Sequence, residues 1–195
     1  MRSLAALALT IAAASTAPAV TWTLDPNHTS VQFAVRHMMV STVRGTFDKV
    51  TGTVEEDPAD LGKSKVEATI DAASVDTRVA KRDEHLRSTD FLDVARYPTI
   101  TFRSTRAEKL GDGHWKLFGD LTLHGVTKEV VLDVEGPTPP VKDPMGNLRA
   151  GVHATTTIDR KAFGLVWNRV LEGGGAVVGD DVAVVIDAEA TRPAQ

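Results

Sequence analysis

Cysteine is absent from the 195 residues. That excludes disulfide frameworks, thiol catalysis, zinc knuckles and attachment to lipid through an N-terminal cysteine. A strong excess of charge is lacking too: 22 Lys and Arg stand against 26 Asp and Glu, for a net charge of −4. Nothing therefore draws the chain as a whole to nucleic acid or to anionic lipid. The long apolar run, Leu4 to Ala14, is too short for a bilayer-spanning helix, which needs about 20 residues. The motifs H-E-x-x-H, G-x-S-x-G and a phosphate loop ending in Gly-Lys-Ser/Thr do not occur. His28, His37, His85, His114, His124 and His153 are scattered, so a metal site would have to be assembled from distant residues. Gly173 to Gly179 is rich in glycine but fails the G-x-G-x-x-G spacing. It leads into a strand rather than a helix N-terminus, and reads as a loop. Asp83, Glu84, Asp90 and Asp93 alternate with Lys81, Arg82, Arg87 and Arg96, a pattern of surface ion pairs rather than of a buried catalytic carboxylate pair.

What is present is ordinary in bulk and informative in pattern. An apolar fraction of 42% and a charged fraction of 25% suit a globular protein with a real core. Arg2 opens the chain, Leu4 to Ala14 forms the apolar run, and Ala17-Pro18-Ala19 is an A-x-A cleavage pattern. Residues 1–19 are thus expected to be a signal peptide, residues 20–195 a single domain, and the mature protein exported and soluble. The chain holds 24 Val and 22 Thr, both β-branched and favoured in strands. Alternation with period two recurs: Val31, Phe33, Val35; Val66, Ala68, Ile70; Trp115, Leu117, Leu121, Leu123; Val130, Leu132, Val134; Val182, Val184, Ile186. Turn signals such as Gly111-Asp112-Gly113, His124-Gly125 and Gly136-Pro137 lie between them. About eight or nine such strands predict an all-β antiparallel sandwich or barrel, and are enough to close a barrel. A barrel of that size is either filled by its own side chains or holds one small ligand, and the sequence alone leaves both open. One segment departs from the pattern. Residues 76–96 are rich in helix formers, with Asp76 or Thr77 placed to cap their start.

Arg82-Asp83-Glu84-His85-Leu86-Arg87-Ser88-Thr89-Asp90-Phe91-Leu92-Asp93, followed by Tyr97-Pro98 and Ile100-Thr101-Phe102, resembles the signature of the YceI-like family. Further segments agree in order: Ser30-Val31, Phe33, Val35 and His37; Gly45 and Phe47; Val75-Asp76-Thr77; Gly119 through Lys128; Asp159-Arg160; Phe163-Gly164; Val178-Gly179-Asp180. The chain departs from the family at Met38-Met39-Val40, where a glycine is common. The resemblance implies an eight-stranded lipocalin-like barrel that binds a polyisoprenoid lipid, such as a polyprenyl phosphate or an isoprenoid quinone. It implies no catalysis, no required cofactor and no metal. Transient contact with a membrane or a membrane enzyme follows from the ligand, and a homodimer stays open.

On that basis the wall is expected to comprise Val31, Phe33, Val35, Phe47, Ile70, Phe102, Trp115, Leu117, Leu121, Leu123, Phe163 and Trp167. Arg36, His37 and Arg44 are the expected contacts for a polar head group, and residues 76–96 a lid in which Phe91 and Leu92 touch the ligand. Two alternatives compete: an exported stress-response or interaction module with a filled core, and an enzyme on an apolar substrate using His37 or His85 with a carboxylate.

Overall fold

The computed structural model describes residues 19–194; the expected signal peptide lies outside them but for Ala19. Twelve strands form one sheet: β1 (Val20–Leu24), β2 (Ser30–His37), β3 (Ser41–Phe47), β4 (Val50–Glu56), β5 (Lys65–Asp71), β6 (Val75–Asp76), β7 (Thr99–Gly111), β8 (His114–Leu123), β9 (Val126–Glu135), β10 (Val141–Lys142), β11 (Asn147–Asp159) and β12 (Val178–Pro193). Several are halves of one longer strand. β12 pairs first with β2, then changes partner and pairs with β1 at Ala190 and Thr191. β3 and β4 pair with β2 and β1 in turn, and β5 and β6 continue the next strand. Eight long antiparallel strands result, joined in sequence order, and β12 closes the ring by pairing with β11 from Asn147↔Pro193 to Asp159↔Asp181. Closure removes the exposed sheet edges.

The breaks within these strands have local causes. Pro26 cannot donate to a ladder, and the Asp25 side chain instead accepts from the Asn27 amide at 3.0 Å, turning the chain between β1 and β2. Asp48 and Lys49 separate β3 from β4, where the Lys49 amide donates to Ser74 Oγ. A 3-10 turn over Ala72–Ser74, capped by Asp71 accepting from the Ala73 amide, separates β5 from β6. The Asp71 amide donates to the Lys49 carbonyl, so the last two breaks are adjacent. There the strands curl inward over one end of the barrel.

That end is plugged. Helix α1 is only Ala80–Arg87, shorter than the helical segment expected over 76–96. Its N-terminus has no side-chain cap, because Asp76 accepts from the Arg78 amide and Thr77 is engaged elsewhere. Asp83, 6% exposed, accepts from both the amide and hydroxyl of Thr77. Arg82 donates to the hydroxyl and carbonyl of Thr77, and Arg87 to the carbonyls of Ala73 and Val75. Side chains that could have capped or solvated a longer helix thus tie the segment to the barrel instead. Beyond α1 the chain turns tightly through Asp93, itself buried, and drives Leu92 into a cluster with Ala72, Val75, Ile100, Leu123, Phe163 and Leu165. The charged residues of this segment were expected to face water; Asp83 and Asp93 do not.

β9 and β11 pair over only three positions, Asp133 to Glu135 against Thr155 to His153. Beyond them Ala162 and Phe163 of a 3-10 turn (Arg160–Phe163) join the core cluster beside Val126 and Val130. Arg160, 3% exposed, holds this turn by donating to the carbonyls of Gly179, Leu165 and Trp167. Burial pulls its pKa down, against the field of Asp180 and Asp159. No helix among the described residues is long and apolar enough to cross a membrane.

Candidate ligand-binding site

Inside the barrel lies a cavity of about 660 Å³, within the range of small-molecule sites. Its wall is the inward parity of the long strands. β12 contributes Val182, Val184, Ile186, Ala188 and Ala190; β8 contributes Trp115, Leu117, Leu121 and Leu123; β9 contributes Val130, Leu132 and Val134. Ala150, Val152 and Ala154 of β11 are small, so the bore keeps width where the facing strands carry Leu and Trp. From Val182 to Ala190 the bore runs about 20 Å along the axis, given ~3.3 Å per residue and a strand tilt near 40°. Val184, Ile186, Leu117 and Leu121 point inward yet are only half-buried. Side chains that met across the axis would be fully covered; these border a space that protein does not fill.

Two glycines set the shape. Phe33 lies directly opposite Gly45, and a Cβ there would meet the Phe33 ring at 2.5 Å. At Gly119 a Cβ would meet the Phe102 ring at 2.4 Å. Each ring lies flat over a position without a side chain and so leaves the axis clear.

The two ends differ. At the plugged end the wall residues Leu92, Ile100, Leu123 and Leu165 are buried. At the other, Leu61 and the stretch Pro137 to Pro140 border the cavity while exposed to solvent. That is the mouth. Glu56 and Ser64 stand beside it, and the Trp22 indole donates to Glu56 Oε2 at 2.5 Å.

Val31, Phe33, Val35, Phe47, Ile70, Phe91, Phe102, Trp115, Leu117, Leu121 and Leu123 are all on the cavity wall. Five other expected site residues are not. Phe163, 2% exposed, is spent in the packed cluster behind the wall. Trp167 packs edge-on against His85 and stacks near Phe91. Arg36 and Arg44 have the parity of Ala34, to which Arg44 is directly paired, and both project to solvent. Arg36 is spent on Thr42 and the Met39 carbonyl. His37 is at the final register of β2, opposite Ser41, beyond the cavity. All three belong to the closed end, so they cannot meet a head group left at the mouth. Residues 76–96 are a packed stopper, with only Leu86, Phe91 and Leu92 reaching the bore.

Sequence reasoning missed the mouth. Trp22, Glu56, Leu61 and the proline stretch were not expected there, although Trp22 alternates with Val20 and Leu24, and Glu56 extends the parity of Val50 and Val54. No histidine among the described residues lines the cavity. The pair that an enzyme would need exists elsewhere: His85 Nε2 and Asp90 Oδ2 are 2.8 Å apart but face solvent. Asp25, His28 and Glu189 could together offer three metal-ligand atoms; Arg149 already bonds both carboxylates, which satisfies their charge without an ion.

A closed antiparallel barrel with an unfilled apolar bore, one end stoppered and one open, defines the lipocalin-like barrel class. Residues 22–190 match the YceI-like domain, and the chain belongs to the YceI-like family. A UPF0312 protein of Vibrio cholerae is 41% identical over 140 residues, covering 71% of this chain and 72% of the relative. The Campylobacter jejuni YceI protein superimposes with a TM-score of 0.68 at 31% identity, over 82% of this chain and 90% of that one. A polyisoprenoid-binding domain of Saccharophagus degradans, implicated in plant cell wall breakdown, superimposes with a TM-score of 0.64 over 88% of this chain and 98% of that one. At 18% identity it shares the fold.

Proposed function

We propose that this protein is a periplasmic carrier or store that takes one polyisoprenoid lipid, a polyprenyl phosphate or an isoprenoid quinone, tail first into its bore. The observation that carries the proposal is the axial cavity of about 660 Å³, walled by Val, Leu, Ile, Phe and Ala from every long strand. An isoprenoid tail cannot cross an aqueous compartment unsheathed. Enclosing ten carbon equivalents at ~0.8 kcal/mol each gives about 8 kcal/mol, near micromolar affinity before ordering costs. The polyisoprenoid-binding neighbour with the same fold supports the ligand class, and the apolar run with its A-x-A site at the start of the chain supports export. Exposed Leu61, Val141 and Met145 suit the mouth end to brief contact with a membrane during loading.

Among the described residues no histidine–carboxylate pair borders the bore, which favours sheltering over chemistry. Mass spectrometry of organic extracts from natively purified protein is expected to show a stoichiometric isoprenoid. Finding none from several hosts overturns the proposal.

A further inference from the structure

The apolar stripes of the wall do not stay apolar up to the mouth. On β4 the inward positions run Val50, Gly52, Val54 and then Glu56; on β12 they run Ala188, Ala190 and then Arg192. β1 lies between these two strands and points Trp22, 5% exposed, into the space between them. The indole donates to Glu56, and the Arg192 guanidinium lies over its ring, Cζ 4.9 Å from the centroid. An acid and a base thus flank one aromatic ring, and among the described residues they form no ion pair with each other.

Arg192 is underused. Among the described residues its one hydrogen bond is a long one, 3.3 Å from Nη1 to the Pro193 carbonyl, and its buried Nε has no partner. A buried guanidinium N–H without a partner destabilises the fold, and five donors make arginine hard to leave unsatisfied. Elsewhere the chain pairs such groups: Arg160, Arg149, Arg82 and Arg87 all spend their donors on protein oxygens. The exception stands beside the mouth, over the ring of the wall residue Trp22 rather than on the wall itself, where the polar end of a tail-first guest would come to rest.

From this juxtaposition we infer that Arg192, Trp22 and Glu56 form the head-group site, and that it selects a chain ending in a neutral oxygen function, an alcohol above all. The inference rests on the carrier proposal for the bore and the isoprenoid tail, and narrows its terminus: the phosphate named there is disfavoured. A hydroxyl oxygen accepts from Arg192, and its proton is donated to the Glu56 carboxylate; one small group serves both. A phosphate gains the arginine but brings its charge against the carboxylate, the repulsive element that gives specificity. A bare hydrocarbon leaves the arginine as it was.

The test is displacement of the dye N-phenyl-1-naphthylamine from the purified protein by three guests with twenty-carbon branched chains: phytane, geranylgeraniol and geranylgeranyl phosphate. The alcohol should bind at least tenfold tighter than phytane, and the phosphate weaker than the alcohol. Arg192→Met should erase the alcohol's advantage while leaving phytane unchanged, and Arg192→Lys should restore only part of it. Glu56→Gln should improve the phosphate relative to the alcohol. Unchanged phytane binding also reports that each variant is folded. If alcohol and phytane bind equally to the unaltered protein, or Arg192→Met keeps the tenfold difference, the head-group site is refuted while the bore stands. If none of the three displaces the dye, the carrier proposal falls and takes this one with it.

Discussion

Arg149 and Asp25, 124 positions apart in the chain, meet at 2.7 Å on the outside of the barrel, where β12 changes partner from β2 to β1. The same guanidinium reaches Glu189 on β12 and Asp143 in the turn before β11. One side chain therefore clamps three strands at the point where the ring changes partners. Arg149 and His28 hold Asp25 well below the ordinary carboxylate range, and the hydrogen bond from Arg149 lowers Asp143 as well.

Acid should loosen this clamp. A carboxyl group whose pKa is depressed by folding contributes stability that is fully present above its unfolded value, near 4, and is lost as pH falls toward the folded value. The melting temperature should drop steeply between about pH 4 and pH 2. Arg149→Met should lower it at pH 7 and flatten that acid limb. Thermal melts across pH test this; an acid limb as steep as in the unaltered protein would detach the effect from Arg149.

His153 should act in the opposite direction. Its pKa is raised, chiefly by the hydrogen bond to Asp187. That contribution is fully present below about pH 6.5 and fades as pH rises through the folded value. Asp187→Asn should remove this slope from the melting curve, and NMR titration of the ring should show its pKa return to the ordinary value.

The bore can be blocked without unfolding the barrel. Leu117→Trp and Val184→Trp add bulk from opposite walls into space that protein leaves unfilled. Each should weaken geranylgeraniol at least tenfold with little change in melting temperature. Unaltered binding in both would place the ligand elsewhere. Gly119→Ala is different. Its methyl group meets both the Phe102 ring at 2.4 Å and the Arg103 carbonyl oxygen at 2.6 Å, so ring and backbone must shift, at an overpacking cost of about 1–3 kcal/mol, and stability and affinity should fall together.

Met38 and Met39 turn β2 into β3 with φ of 51° and 59°. They are the central residues of a turn closed by the Val40 amide donating to the His37 carbonyl; turns with positive φ at both centres favour Asn-Gly, because a Cβ strains the left-handed region by about 1–2 kcal/mol. Both methionines are exposed, and neither reaches the cavity. Met38→Asn with Met39→Gly should stabilise the fold by about 1 kcal/mol or more, seen as a higher midpoint in urea with the same m-value.

Asp83 makes the stopper cohere. Replacing it by Ala leaves the Thr77 amide and hydroxyl without their buried acceptor, worth about 1.5–3 kcal/mol. Hydrogen exchange should quicken over residues 76–96 while the strands near the mouth stay protected.

Alternation made the barrel legible: ten of the expected wall residues follow from Val, Leu, Ile, Phe and Trp at every second position. The same rule would have placed Arg36 and Arg44 outside, since each neighbours an inward residue; nearness to His37 in sequence is not nearness in a sheet. Glu56 and Arg192 were hidden for a complementary reason. They continue inward stripes, but their charge reads as an outward position until the strands on either side of Trp22 are known. The helical segment was overextended because Arg82, Asp83 and Arg87 look like solvent-facing helix formers. Their partners, Thr77, Ala73 and Val75, appear only once the chain has folded back on the barrel.

A blind bore also has a depth. With its far end shut by Leu92 and its neighbours, it covers a fixed length of hydrocarbon, and any surplus trails outside at ~0.8 kcal/mol for each wetted methylene. A guest too short never brings its terminus to the rim, and one too long cannot retract. The stopper, far from the entrance, thereby acts as a ruler.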